Sequence, residues 1–297
     1  MSLSFHTFNR DTRQFYPAAG AVESYPGGDI AVRHLQPAPA GSVPVAWNAG
    51  GTLDYAALAQ WVAFHAAVSG IAAPILVMPY LPSARGDHDP TADAQVSARL
   101  TAATGIGHVI CADPHSPIWA EHTGWDTAVH TITAADLIGG STLMGAHWEW
   151  DAVIAPDKGA VDRAGAVARV LGVPLLTAGK ARDAATGKLS GFTAPDGIGA
   201  GRFLVVDDIC DGGGTFAGLA QVIAAAVPKA ELHLWVTHGL FTGRWRENLA
   251  PHYVSITAAD TAAPSEPAAL PPEVRAVPLL PAVLDALIHF AAPVAAH

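Results

Sequence analysis

Three carboxylates, three glycines and a threonine form the densest chemical signal in this chain. Phe203-Leu204-Val205-Val206 is apolar and partly β-branched, as expected of a buried strand. Asp207 and Asp208 follow at its C-terminal edge, and Asp211 opens Gly212-Gly213-Gly214-Thr215 ahead of a helical pattern over Phe216 to Val227. Glycines let backbone N–H groups approach phosphate oxygens, and a helix N-terminus favours an anion. The upstream carboxylates can accept hydrogen bonds from neighbouring sugar hydroxyls. Together these are the parts of a ribose 5-phosphate cradle.

Such a loop needs a parallel sheet to hold it, and the flanking pattern supplies one. Strands are expected at Ile71 to Tyr80, His108 to Ala112, Ala152 to Ala155, Phe203 to Val206 and Leu232 to Thr237. Helical patterns alternate with them at Tyr55 to Val68, Asp93 to Thr104, Gly159 to Leu171 and Phe216 to Val227. This rhythm is α/β, with largely parallel sheets. It repeats as if one plan occurred twice, with a boundary near Gly139-Gly140-Ser141, so domains of residues 1–140 and 141–297 are expected. Ala258 to Pro272 is rich in Ala and Pro and reads as an irregular linker, after which a helix at about Pro281 to Ala292 can pack back on the first half.

The chain has 297 residues, enough for a large core and, on length, two domains. Hydrophobic residues make up 51% and charged residues 14%, a globular composition. A net charge of −10 argues against non-specific nucleic-acid binding, so a phosphate site must rely on local cations. Cys111 and Cys210 both lie beside apolar strand patterns and read as buried, reduced thiols, which suits a cytoplasmic protein. Met1 to Arg13 lacks a signal-peptide core, and the apolar stretch Val277 to Ala296 is interrupted by Pro281, Asp285 and His289, so no membrane partner is expected.

The acidic glycine loop resembles the phosphoribosyl-pyrophosphate (PRPP) loop of type I phosphoribosyltransferases and of ribose-phosphate pyrophosphokinases. Further segments resemble the second family, its phage and bacterial branch in particular. Pro79-Tyr80-Leu81-Pro82-Ser83-Ala84-Arg85-Gly86-Asp87-His88 is similar to that family's nucleotide segment; Arg85 and Asp87 match, while Gly86 and His88 replace a Gln and an Arg. Asp113-Pro114-His115-Ser116 carries the His that helps hold magnesium in the family. Pro156-Asp157-Lys158-Gly159 resembles the segment whose Asp is the second metal-associated residue.

Lys180-Ala181-Arg182 matches the spacing of the family's two catalytic cations, on a polar and expectedly mobile loop reaching Lys188. Val236-Thr237-His238-Gly239-Leu240-Phe241-Thr242-Gly243 is similar to a further family segment. Tyr25-Pro26-Gly27-Gly28-Asp29 resembles the one whose aromatic and acids touch adenine, with Gly27 in place of an acid.

The resemblance implies two phosphoribosyltransferase-like domains, Mg²⁺, and a homo-oligomer acting on ATP and ribose 5-phosphate. Tyr25, Asp29, Arg85 and Asp87 would bind ATP; His115 and Asp157 would serve the metal. Lys180 and Arg182 would act on the transferring group, and Asp207, Asp208, Asp211, Gly212, Gly213, Gly214 and Thr215 would hold the ribose phosphate. The implied reaction is attack of the sugar 1-hydroxyl on the β-phosphorus of MgATP, giving PRPP and AMP. Three alternatives stand beside it: ADP-ribose as acceptor in nicotinamide salvage, a PRPP-consuming phosphoribosyltransferase, and a non-catalytic regulatory homologue.

Overall fold

The structure, a computed structural model of the chain, describes residues 3–50, 52–68, 73–86, 92–141, 149–182, 189–261 and 270–290. The chain forms two compact units. One comprises Met1–Ile132, Thr261–Pro267 and Leu280–His297; the other comprises Thr133–Asp260 and Ala268–Leu279.

The first unit runs β1 (Leu3–Asn9), β2 (Phe15–Pro17), β3 (Ala21–Ser24), β4 (Ile30–Arg33), β5 (Ser42–Asn48), α1 (Tyr55–Ala66), β6 (Ile75–Val77), α2 (Asp93–Ala103), β7 (His108–Ala112), α3 (Ile118–Glu121) and β8 (Ala128–Ile132). Its main sheet has the order β2-β1-β5-β6-β7-β8. From β5 to β8 every pairing is parallel, whereas β1 runs antiparallel to both β2 and β5. β3 and β4 form a separate antiparallel ribbon. The core gathers Phe5, Leu58, Trp61, Leu76, Met78, Val109 and Trp119, and Phe5 stacks on Trp61 at 5.5 Å. Burying a side chain of this size stabilises the fold by about 1.5–3 kcal/mol. Helix α1 starts where the carboxylate of Asp54 accepts from the N–H of Ala57 at 2.9 Å, satisfying one of its orphan donors.

The second unit runs α4 (Ala134–Gly140), β9 (Ala152–Ala155), a 3₁₀ turn (Lys158–Ala160), α5 (Val161–Leu171), β10 (Leu175–Thr177), β11 (Gly179–Arg182), β12 (Leu189–Thr193), β13 (Gly201–Cys210), α6 (Gly214–Ala226), β14 (Ala230–Gly239), α7 (Trp245–Leu249), β15 (Tyr253–Asp260) and β16 (Arg275–Pro278). The sheet order is β10-β9-β13-β14-β15-β16, and every pairing in it is parallel. Val205, Leu219, Ile223, Leu234, Val236 and Trp245 belong to its core. The chain closes with α8 (Leu280–Phe290), which belongs to the first unit.

Several elements depart from the expected boundaries. β13 does not stop at Val206 but continues through Cys210, with Asp207 opposite Val236 and Cys210 opposite Gly239. Ladder bonds to the long neighbour β14 hold these residues extended despite the weak strand preference of Asp. The expected linker from Ala258 begins inside β15, which runs to Asp260; residues 262–269 lie outside the described residues. Within the strand expected at Ile71 to Tyr80, β6 spans Ile75–Val77; residues 71 and 72 lie outside the described residues.

Candidate active site

The connections of the second sheet reverse direction between β9 and β13. The path from β9 through α5 leads outward to β10, and the path from β13 through α6 leads the other way to β14. At such a switch point two loops leave on opposite sides and open a crevice beyond the strand ends. β9 ends at Ala155, and its pairing with β13 ends at Val205 opposite Ile154. Asp207 and Asp208 therefore extend past β9 on that side.

The two carboxylates are held in place by short bonds. Asp207 Oδ1 accepts from the N–H of Asp208 at 2.9 Å, and Asp208 Oδ1 accepts from the N–H of Ile209 at 2.8 Å. Arg163, in the first turn of α5, faces both: Nη1 lies 3.6 Å from Asp207 Oδ1 and Nη2 lies 3.5 Å from Asp208 Oδ2. The three side chains are 11%, 16% and 6% exposed, in the order Arg163, Asp207, Asp208. Burial first, and the adjacent Asp208 second, push the Asp207 carboxyl above its ordinary range; Arg163 opposes the shift.

After β13 the chain turns through Asp211 and Gly212 to Gly213, whose φ of +77° is left-handed. A Cβ there would also meet Leu249 at 3.1 Å, so backbone and packing both call for glycine. Gly214 is different. A Cβ on it would meet nothing within 4 Å, and one on Gly212 would meet only the Thr242 carbonyl at 3.9 Å. Among the described residues no neighbour crowds these two positions, so the backbone there lies open. Helix α6 opens at Gly214, so Thr215 stands in its first turn with the N–H groups that favour an anion.

The segment after β14 braces this loop. Leu240 and Phe241 both donate from their N–H groups to the Cys210 carbonyl, at 2.9 and 3.1 Å. The Thr242 hydroxyl donates to Asp211 Oδ1, and its N–H donates to the Asp211 carbonyl at 3.2 Å. From α7, the Asn248 amide donates to the Gly212 carbonyl at 2.6 Å. Cys210 is buried beneath the loop, and burial pushes its thiol up to about 12, so it carries no thiolate chemistry at neutral pH.

Lys180 and Arg182 lie on β11, in an antiparallel ribbon with β12, opposite Phe192 and Leu189 respectively. Residues 183–188, the rest of the expected mobile loop, lie outside the described residues. The ribbon is tied to α6: a Cβ at Gly218 would run into the Phe192 ring, so the ring lies where a side chain would otherwise stand.

Asp157 follows β9 and caps the 3₁₀ turn, its Oδ1 accepting from the N–H of Gly159 at 2.9 Å.

In the first unit, Arg85 and His115 are exposed on the loops that follow the neighbouring parallel strands β6 and β7. Asp87 and His88 lie outside the described residues. At Gly86 a Cβ would fall 2.8 Å from that of Asp93, which leaves no room there for a longer side chain. Tyr25 and Asp29 close the hairpin turn between β3 and β4, where the Tyr25 N–H donates to the Asp29 carbonyl at 2.8 Å. The Tyr25 hydroxyl accepts from Arg33 at 2.7 Å.

Known proteins can be set beside this geometry. Residues 132–257 match the phosphoribosyl transferase domain model. The ribose-phosphate pyrophosphokinases of Cereibacter sphaeroides and Granulibacter bethesdensis are each 28% identical to the chain, over 72% and 71% of it. The matches span 64% and 68% of those relatives' own lengths. The phosphoribosylpyrophosphate synthetase of Mycobacterium smegmatis shares the fold, with a TM-score of 0.68 at 22% identity, covering 91% of this chain and 89% of that one. The second unit is thus a phosphoribosyltransferase-type domain, with its glycine loop at the switch point. Over most of its length the chain resembles the ribose-phosphate pyrophosphokinases.

Arg163, Thr242 and Asn248 enter the site beyond the residues expected to form it. Thr242 sits in a segment already marked by its family resemblance. Arg163 is marked by nothing but its place in a helix, and Asn248 has no signal in the sequence.

Proposed function

We propose that this protein is a ribose-phosphate diphosphokinase, transferring the β,γ-diphosphoryl group of MgATP to the 1-hydroxyl of ribose 5-phosphate to give PRPP and AMP. The observation that carries the proposal is the Asp207–Asp208 pair at the end of β13, followed by a braced glycine loop that opens α6. Gly212, Gly213, Gly214 and Thr215 bind the 5-phosphate, with Asp211 tied back to Thr242 to hold the loop's shape. Asp207 and Asp208 accept from the 2- and 3-hydroxyls, which aims the 1-hydroxyl out of the crevice.

Displacement at phosphorus depends mainly on alignment and charge neutralisation. Lys180 and Arg182, on a ribbon anchored to the same helix, supply positive charge to the group in flight. Tyr25, Asp29, Arg85 and Asp87 take the nucleotide.

A carboxylate with one oxygen already bonded to an N–H, as in Asp157, suits a hydrated Mg²⁺ better than a resident caged ion. No cluster of three or more His, Cys, Asp or Glu among the described residues could hold a metal. We assign the ion to the nucleotide, where it would neutralise phosphate charge; Asp157 and His115 are the residues proposed to serve it.

A homo-oligomer in the cytoplasm completes the proposal. Among the described residues no helix is long and apolar enough to cross a membrane.

The deciding experiment incubates the purified protein with MgATP and either ribose 5-phosphate or ADP-ribose and follows AMP release. Ribose 5-phosphate should give AMP and PRPP in equal amounts. Turnover with ADP-ribose alone would change the acceptor. PRPP consumption with a nucleobase, and no AMP from ATP, would make the chain a phosphoribosyltransferase.

A further inference from the structure

Two carboxylates on consecutive strand residues ordinarily point to opposite faces of a sheet. Here one guanidinium lies within 3.6 Å of an oxygen of each, beside the β13 edge that β9 leaves open. One nitrogen of the fork faces each acid, so Arg163 acts on the pair through its charge and its planar fork. Its own seat is rigid. Ala164, Val167 and Ala168 of α5 are buried, and the turn ahead of the helix is capped by Asp157. The proposed chemistry asks nothing of Arg163 as a phosphate ligand, yet the residue is almost enclosed against the two acids.

We propose that Arg163 is the positioning residue of the acceptor site, spanning Asp207 and Asp208 so that the two carboxylates form one fixed clamp for two neighbouring hydroxyls of the sugar. The inference rests on the assignment of this loop to ribose 5-phosphate. Lysine, a point charge on a flexible stem, can serve one acid at a time but cannot span both. An apolar side chain would leave two adjacent carboxylates to repel each other, and the clamp would lose its shape. The effect should therefore fall on the acceptor and not on the nucleotide.

The test uses the full chain, with initial rates in MgATP and ribose 5-phosphate and, separately, calorimetric binding of ribose 5-phosphate without ATP. Arg163→Met should weaken the acceptor about tenfold or more in both KM and Kd, the scale of a lost charge-assisted contact, while KM for ATP stays within about twofold. Arg163→Lys should recover part of that loss. Asp207→Asn should weaken the acceptor in the native background but add little to Arg163→Met, because the clamp is already open. An unchanged acceptor KM in Arg163→Met, or independent losses that simply multiply, would overturn the inference. If Arg163→Met does not fold, Arg163→Lys decides, since wild-type acceptor affinity in that variant removes any need for the fork. A wild-type protein that binds ribose 5-phosphate without turning it over would sink the diphosphokinase proposal and leave this inference standing. Wild-type turnover with indifferent Arg163 variants would do the reverse.

Discussion

The side-chain amide of Asn248 donates to the backbone carbonyl of Gly212 at 2.6 Å, across 36 residues of chain. This bond fixes which way one peptide of the glycine loop faces. With the carbonyl held toward α7, the N–H of Gly213 in the same peptide faces the opposite way. Asn248→Ala should weaken ribose 5-phosphate binding by about three- to tenfold, the usual range for one lost neutral hydrogen bond, with kcat little altered. Asn248→Asp, which puts an acceptor against that carbonyl, should be worse. Acceptor titrations of the two variants check this, and equal affinity in all three proteins would dismiss the brace.

The acid pair ties activity to stability with a definite sign. The Asp207 carboxyl is held above its ordinary value of 3.8 by burial and by Asp208. A raised carboxyl favours the fold below about pH 3.8 and loses that advantage as pH rises through its folded value. Above that value the carboxyl must ionise against its burial and against Asp208, which costs the native state stability. Asp207→Asn should therefore raise Tm at pH 8, and the gain should fade as pH falls toward 4. The same variant should lose roughly ten- to a hundredfold in acceptor affinity, since charge-assisted hydrogen bonds contribute about 1.5–3 kcal/mol. Melting curves at the two pH values, run beside acceptor kinetics, test both halves; a lower Tm at pH 8 would show the pairing with Arg163 outweighing burial.

Acid should destabilise the protein for an opposite reason. Burial holds His6 and His233 at about 4, and it also lowers His65 and His108 below 6.5. For His233 the positive charge of Arg202 adds to the burial. A depressed imidazole supports the fold above about pH 6.5 and loses that support as pH falls through the folded value. His6 stacks on Phe15 at 4.8 Å within the first unit, so His6→Phe should flatten part of the acid limb of the stability profile. Chemical denaturation from pH 4 to 7 would reveal it, and identical profiles would refute the assignment.

Lys180 and Arg182 should matter in the transition state more than in binding. Lys180→Ala and Arg182→Ala are expected to lower kcat and kcat/KM by similar factors, roughly a hundredfold or more for a few kcal/mol, with KM for ATP nearly constant. A large rise in ATP KM at constant kcat would instead make them plain nucleotide ligands.

Much of the second unit was legible because its parts are local. An apolar run, two acids, three glycines and a helical pattern identify strand, loop and helix within fourteen consecutive residues, Phe203 to Phe216. The first fifty residues were harder. β1 carries Ser4, His6 and Thr7, polar groups buried or half-buried by pairing with β5, so its pattern lacks the alternation that marks a strand. The length of β13 was hidden because β14, far along the chain, sustains its ladder through Cys210. Arg163 and Asn248 stayed invisible for the same reason: they reach the loop from α5 and α7, through packing that no spacing in the sequence encodes.

Gly218 is also a matter of absence. A helical glycine costs about 0.5–1 kcal/mol relative to alanine, so its place in the middle of α6 needs compensation, and the ring of Phe192 lying against it provides that. The missing methyl acts as a shim, setting how closely the cation-bearing ribbon rides on the helix whose first turn is proposed to take the phosphate. Catalytic alignment in this protein is then adjustable from a site that meets no ligand. Gly218→Ala would strengthen the helix, lift the ribbon and slow the reaction. Relatives with a bulkier residue here would be expected to carry a smaller one at position 192, the two changing together as a single inherited spacing.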